Sequence, residues 1–137
     1  MNIVIDTNVI ISALIKDGFV RNLITQLNQN LLIPEFEFME IENHKEEILE
    51  KSGLSKKEFQ ILMLNLLKYI KIIKMEKILD FAEESIDIMK KIDINDAQFI
   101  ATALAFNAII WSDDKHLKKQ SKIKVLNTPE MIMWLNE

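Results

Sequence analysis

In NIVIDTNVIISAL, residues 2–14, a β-branched run stops at an aspartate and a second apolar run follows at once. Residues 2–5 read as a short buried strand. Residues 8–14 read as a helix, with Thr7 or Asn8 as its cap. The same grammar recurs downstream. Phe19, Val20, Leu23, Ile24 and Leu27 keep helical spacing, and residues 31–33 form a second strand that ends at Pro34. Residues 35–51 read as one acidic helix. Ser55 and Glu58 form a capping box, and Leu54 and Phe59 stand where a hydrophobic staple would, which opens a helix to about Tyr69. Residues 70–73 are the third strand. Residues 78–91 are helical, Asn95 begins an alanine-rich helix to Asn107, residues 108–111 are the fourth strand and 124–126 the fifth. Thr128 is expected to cap a last helix, with Pro129 at its first position.

The strands are short and apolar on both faces, and they alternate with helices. That combination predicts a parallel sheet with helices on both sides, a three-layer α/β sandwich. The whole chain, 137 residues with no Gly- or Ser-rich linker, is expected to form a single domain. In such sheets the ligand crevice lies beyond the carboxyl ends of the strands.

Composition removes several functional classes. The absence of cysteine excludes disulfides, thiolate zinc sites and cysteine nucleophiles, and fits a reducing cytoplasm. No run is apolar enough to span a membrane, and the opening residues lack a basic n-region, so no signal peptide is expected. There is no phosphate-cradling glycine loop, dinucleotide fingerprint or nucleophile elbow. The net charge of −4 weighs against nucleic-acid binding. A metal-binding enzyme must supply its own carboxylates, however, and these lower the net charge.

The carboxylates fall where the crevice is expected. Asp6 follows the first strand, and Asp113 and Asp114 follow the fourth. Asp93 and Asp96 open the alanine-rich helix that feeds the fourth strand. Gathered in one cleft, such groups repel one another unless a cation neutralises them. All-oxygen ligation suits Mg²⁺ or Mn²⁺, and such an ion suits phosphoryl chemistry. Taken singly, each acid has a plainer role. Asp6 and Asp96 can serve helix N-termini, and Asp113 and Asp114 can be turn residues. His44 and His116 read as solvated. Met39, Met63, Met89, Met131 and Met133 are expected in the core or half-buried, and Trp111 and Trp134 in the core.

The segments IDTNVIISAL, IPEFEFMEIENHKEEILEKSGLS, DINDAQFIATALAFNA and IIWSDDKHLKK together resemble the four successive motifs of the PIN domain family. The resemblance covers essentially the whole chain. It implies a sheet of order 3-2-1-4-5 and makes Asp6, Asp96 and Asp114 metal ligands. Glu40 would be the second acid of the motif, with Glu42 as its alternative. Asn8 and Ser112 would orient ligands or a phosphate, Asp93 would stand nearby, and Asp113 would occupy a variable position. The implied activity is metal-dependent hydrolysis of RNA with Mg²⁺ or Mn²⁺, leaving a 5′-phosphate and a 3′-hydroxyl. Many prokaryotic members resemble VapC toxins held inactive by an antitoxin, and many form homodimers. The long acidic segment and the helix opened by Ser55 are closer to stand-alone prokaryotic members.

Lys115, Lys118 and Lys119 follow the fourth acid and are candidates for contacting RNA phosphates. Lys68, Lys71, Lys74 and Lys77 read as ordinary surface. Two other readings compete. A phosphoaspartyl enzyme would need a second aspartate where Asn8 stands. A catalytically inactive PIN-fold module would bind RNA or protein without cutting.

Overall fold

The computed structural model describes residues 1–15 and 18–136. Five parallel strands run in the order β3-β2-β1-β4-β5, with β1 at Asn2–Ile5, β2 at Asn30–Pro34, β3 at Ile70–Ile73, β4 at Ile109–Trp111 and β5 at Val125–Leu126. Eight helices surround them among the described residues: α1 (Thr7–Ile15), α2 (Phe19–Gln26), α3 (Glu35–Asn43), α4 (Lys45–Ser52), α5 (Lys56–Leu66), α6 (Ala82–Met89), α7 (Ala97–Phe106) and α8 (Thr128–Leu135). The expected fold class and strand order are observed.

Alternation along the strands divides the core between the two faces of the sheet. Ile3, Ile5, Leu31, Ile33, Trp111 and Leu126 pack with α1, α4 and α5 on one face. Val4, Ile110 and Val125 pack on the other face against Met89, Ala97, Phe99, Ile100 and Ala103 of α6 and α7. Leu32 and Ile73 meet Ile78 and Ala101 in a smaller cluster. The small residues of α7 let it lie against β1 and β2.

Local signals explain most boundaries. Ser55 and Glu58 form the expected capping box at α5. Gly53, in a left-handed conformation at φ 72°, terminates α4, and Asn107 does the same for α7 at φ 50°. Other boundaries depart from the sequence-based expectation. The acidic helix expected over residues 35–51 breaks at His44 into α3 and α4. Residues 75–81 form two short 3₁₀ turns before α6 begins at Ala82. α5 ends at Leu66 rather than near Tyr69. The last helix is capped by Asn127, whose side chain accepts from the Glu130 N–H, so Thr128 is not the cap. Thr128 instead accepts from the Trp111 indole at 3.0 Å. Met39 and Met133 are exposed, unlike the buried Met63, Met89 and Met131.

Ile110 is fully buried at the centre of β4. Ile110→Ala is expected to lower the unfolding free energy by about 3 kcal/mol. Met133→Ala, at an exposed position, should change it by less than about 0.5 kcal/mol. Urea unfolding midpoints check both.

Candidate active site

The sheet edge beyond the strand carboxyl ends carries the acids. Ile5 pairs with Trp111 in the β1–β4 register, so the residues that follow, Asp6 and Ser112, stand side by side. The backbone prolongs the ladder by one step: the Asp6 N–H donates to the Trp111 carbonyl at 3.0 Å and the Ser112 N–H to the Leu126 carbonyl at 3.0 Å. Both side chains are buried. The Ser112 hydroxyl donates to Asp6 Oδ2 at 2.6 Å and accepts from the Asp114 N–H at 3.0 Å. One serine thereby orients Asp6 and the turn that carries Asp114.

Asp6 also begins α1. Its Oδ1 accepts from the Asn8 N–H at 3.3 Å, so Asp6 fills the capping place expected of Thr7 or Asn8. Thr7 is buried and turns to α3 instead. Its hydroxyl donates to Glu37 Oε2 at 3.3 Å.

A cleft of about 370 Å³ opens on these groups. Asp6, Asn8, Glu37, Glu40 and Asp96 line it, with Ile11, Ile15, Ile48 and Phe99 as apolar walls. Of the acids expected from sequence, the fold brings Asp6, Glu40 and Asp96 into this cleft. Asp114 stands at its margin, where its charge bears on both Asp6 and Asp96. Asp93 caps the 3₁₀ turn before α7, accepting from the Asn95 N–H at 3.0 Å, and repels Asp96. Asp113 turns away and holds Thr128 through its N–H and hydroxyl at 2.7 and 2.9 Å. Glu42 is exposed and does not line the cleft. Lys115 and Lys119 are exposed, and Lys118 is paired with Glu130. His44 is exposed, as expected, and lies on the cleft wall between Glu40 and Glu47 at 3.7 and 3.4 Å.

Besides Glu47, on the wall beside His44, Glu37 is a cleft acid that sequence reasoning missed. The available signal is its spacing: it stands one helical turn before Glu40, hence on the same face of α3. Glu35, at the start of the same helix, is diverted to the Met75 N–H at 2.7 Å.

The electrostatics follow from burial and crowding. Desolvation, opposed by the Ser112 hydrogen bond, raises the Asp6 carboxyl above its ordinary value. Desolvation and the charges of Asp93 and Asp6 push Asp96 up to about 6. Desolvation, with Asp6, Asp96 and Glu40 adding to it, pushes Glu37 up to about 7. Asp96 Oδ2 is buried without a hydrogen-bond partner.

A divalent cation would relieve all of these strains, because it supplies positive charge and takes up an orphaned oxygen. The donors are carboxylates and a hydroxyl, with no thiolate, and they fit Mg²⁺ or Mn²⁺ chemically. No three acidic or histidine side chains among the described residues are close enough together to hold an ion without adjustment.

The raised carboxyls set a pH dependence for the metal-free protein. Unfolded, Asp96 and Glu37 release their protons near the ordinary values of 3.8 and 4.5, whereas folded they hold them to about 6 and about 7. The folded state thus binds more protons across that interval, so stability falls as pH rises through it. Thermal unfolding in chelator from about pH 4 to about pH 8 should show a declining midpoint, with a flatter decline in Asp96→Asn and Glu37→Gln. A midpoint that rises across this range would contradict the assigned burial.

Solved structures share the fold, among them the following three. VapBC2 from Rickettsia felis, bound to a DNA fragment from its promoter, is 21% identical with a TM-score of 0.69, covering 93% of this chain and 98% of that one. A toxin–antitoxin complex from Klebsiella pneumoniae is 18% identical with a TM-score of 0.65, covering 90% and 94%. PAE2754 from Pyrobaculum aerophilum is 13% identical with a TM-score of 0.67, covering 99% and 90%. Comparison with curated proteins gives no match. The family model of the PIN domain matches residues 4–132, and the chain belongs to that family, whose members are generally nucleases.

Proposed function

We propose that the protein is a Mg²⁺- or Mn²⁺-dependent endoribonuclease whose metal ligands are Asp6, Asp96 and Asp114. The observation that carries this reading is the buried Asp6–Ser112 pair beside the unpartnered oxygen of Asp96, at the sheet edge of a nuclease-family fold. A bound cation supplies Lewis acidity there, lowering the pKa of an attacking water and stabilising the leaving oxygen. Asp6 and Asp96 both line the cleft and offer oxygens to it, and Ser112 holds the Asp6 carboxylate in place. Glu40, on the open wall, is placed to take the proton released by the attacking water. Asn8, exposed at the start of the cleft, has an amide free to meet a phosphate oxygen. Lys115 and Lys119 meet the RNA backbone outside the cleft.

The likeness to VapBC2 and to the Klebsiella toxin–antitoxin complex supports a toxin role with an antitoxin partner, at the level of fold. The competing reading, an inactive binding module, lacks a reason for keeping these acids in one cleft at a cost in stability.

An RNA and single-stranded DNA panel, incubated with Mn²⁺, Mg²⁺ or chelator, tests the proposal. Cleavage of RNA should need the metal and fall by at least about 100-fold in Asp6→Asn. Equal cleavage by both proteins, or none by folded wild type free of any inhibitor, would favour the binding module. In the Asp6→Asn background, Lys115→Ala with Lys119→Ala should weaken RNA binding and reduce its salt slope by about 0.7 for each phosphate no longer neutralised.

A further inference from the structure

α3 presents two carboxylates to the cleft one helical turn apart, Glu37 and Glu40, in unlike surroundings. Glu37 is in the first turn, next to the sheet edge where β2 ends at Pro34. It is half-buried. The Thr7 hydroxyl engages its Oε2 at 3.3 Å, which leaves Oε1 for a ligand. Thr7 is itself buried and directly follows Asp6, so the hydrogen bond ties Glu37 to the strand end that carries the central aspartate. Asp6 and Asp96 are the two charges that bear most on Glu37. Glu40 lies a turn further from the sheet, is 52% exposed and faces His44 at 3.7 Å. His44 continues to Glu47, and Glu47 to Lys51 at 2.7 Å, so Glu40 ends a chain of polar contacts along the cleft wall.

We propose that Glu37, rather than Glu40, is the α3 carboxylate that completes the metal-binding set of Asp6, Asp96 and Asp114, with Thr7 as the positioning residue that aims it. The inference rests on the nuclease reading above and departs from the motif match, which selects Glu40. Its physical basis is the cost of recruitment. A ligand should be desolvated and oriented before the ion arrives, since its freedom is then not lost on binding. Glu37 comes nearer to that condition than Glu40, being half-buried and already held by Thr7, although it too must shift to meet an ion. Glu40 would have to leave His44, cross from the wall and shed its water. Glu40 in its observed place keeps a role on the solvent side, where an attacking water enters.

Calorimetric titration with Mn²⁺ of wild type, Asp6→Asn, Glu37→Gln, Glu40→Gln and Thr7→Val tests the assignment. Asp6→Asn and Glu37→Gln should each weaken Mn²⁺ binding by on the order of 100-fold, and Thr7→Val by about tenfold. Glu40→Gln should stay within about threefold of wild type, a change too small for removal of a ligand. Thermal unfolding in chelator separates ligation from folding. Glu37→Gln removes a like charge from the acid cluster, so its metal-free midpoint should equal or exceed that of wild type near neutral pH, while Mn²⁺ no longer raises it. If Glu37→Gln fails to fold, Thr7→Val decides the matter, and unchanged Mn²⁺ affinity there overturns the assignment. Loss of binding in Glu40→Gln, with or without loss in Glu37→Gln, overturns it too and leaves the nuclease reading intact. Mn²⁺ binding that is absent from wild type, or insensitive to Asp6→Asn, overturns both.

Discussion

The hydrogen bond from Ser112 to Asp6 spans the ends of two neighbouring strands, and the site is organised around it. Its two partners are adjacent because β1 and β4 pair in one register. A slip by one residue would turn Asp6 to the opposite face and remove the serine from reach. The register is in turn held by the burial of Ile3, Val4 and Ile5 against Ile109, Ile110 and Trp111. Core packing on both faces of the sheet therefore determines where a single carboxylate points. Ser112 passes that order on, because its oxygen also receives the Asp114 N–H.

The same burial sets the chemistry of the cleft. Apolar side chains on both faces leave Asp6 with a serine and one backbone N–H for compensation. Asp96 keeps an oxygen without a partner, and Glu37 has one threonine. Among the described residues, no lysine pairs with Asp6, Glu37 or Asp96, and Lys51 on the cleft wall is taken by Glu47, although pairing is the usual means of stabilising buried carboxylates. The cluster is thus left in deficit of positive charge. A structural role would favour filling that deficit permanently, whereas a site for an exchangeable cation requires that it stay open.

Much of this architecture is legible in the sequence alone. Short apolar runs bounded by polar residues mark all five strands, because buried parallel strands admit few alternatives. The capping box at Ser55 is explicit in local chemistry. The break at His44 is not legible, because neither glycine nor proline marks it and the acidic pattern continues through it. The cap of α8 is ambiguous in sequence because Asn127 and Thr128 are both competent. Only the tertiary pull of Trp111 and Asp113 on Thr128 distinguishes them. Asp6, Asp96 and Asp114 stand out because their positions after strands or before a helix are visible in sequence. Glu37 does not, since its placement depends on how α3 is rolled against Thr7, an interaction between residues thirty apart.

The sheet ends at β3, an edge strand with the sequence IKII. An edge of this kind offers unpaired backbone groups together with apolar side chains, and Ile72 is indeed partly exposed. Lys68, Lys71 and Lys74 are spaced through and around the strand, and all three are exposed. Their charges would be brought against those of a second copy attempting to extend the sheet, and each would have to be desolvated as well. The lysines that look like ordinary surface thus disfavour edge-to-edge pairing at β3. A chain whose core depends on short, strongly β-forming segments needs such protection while it folds and after.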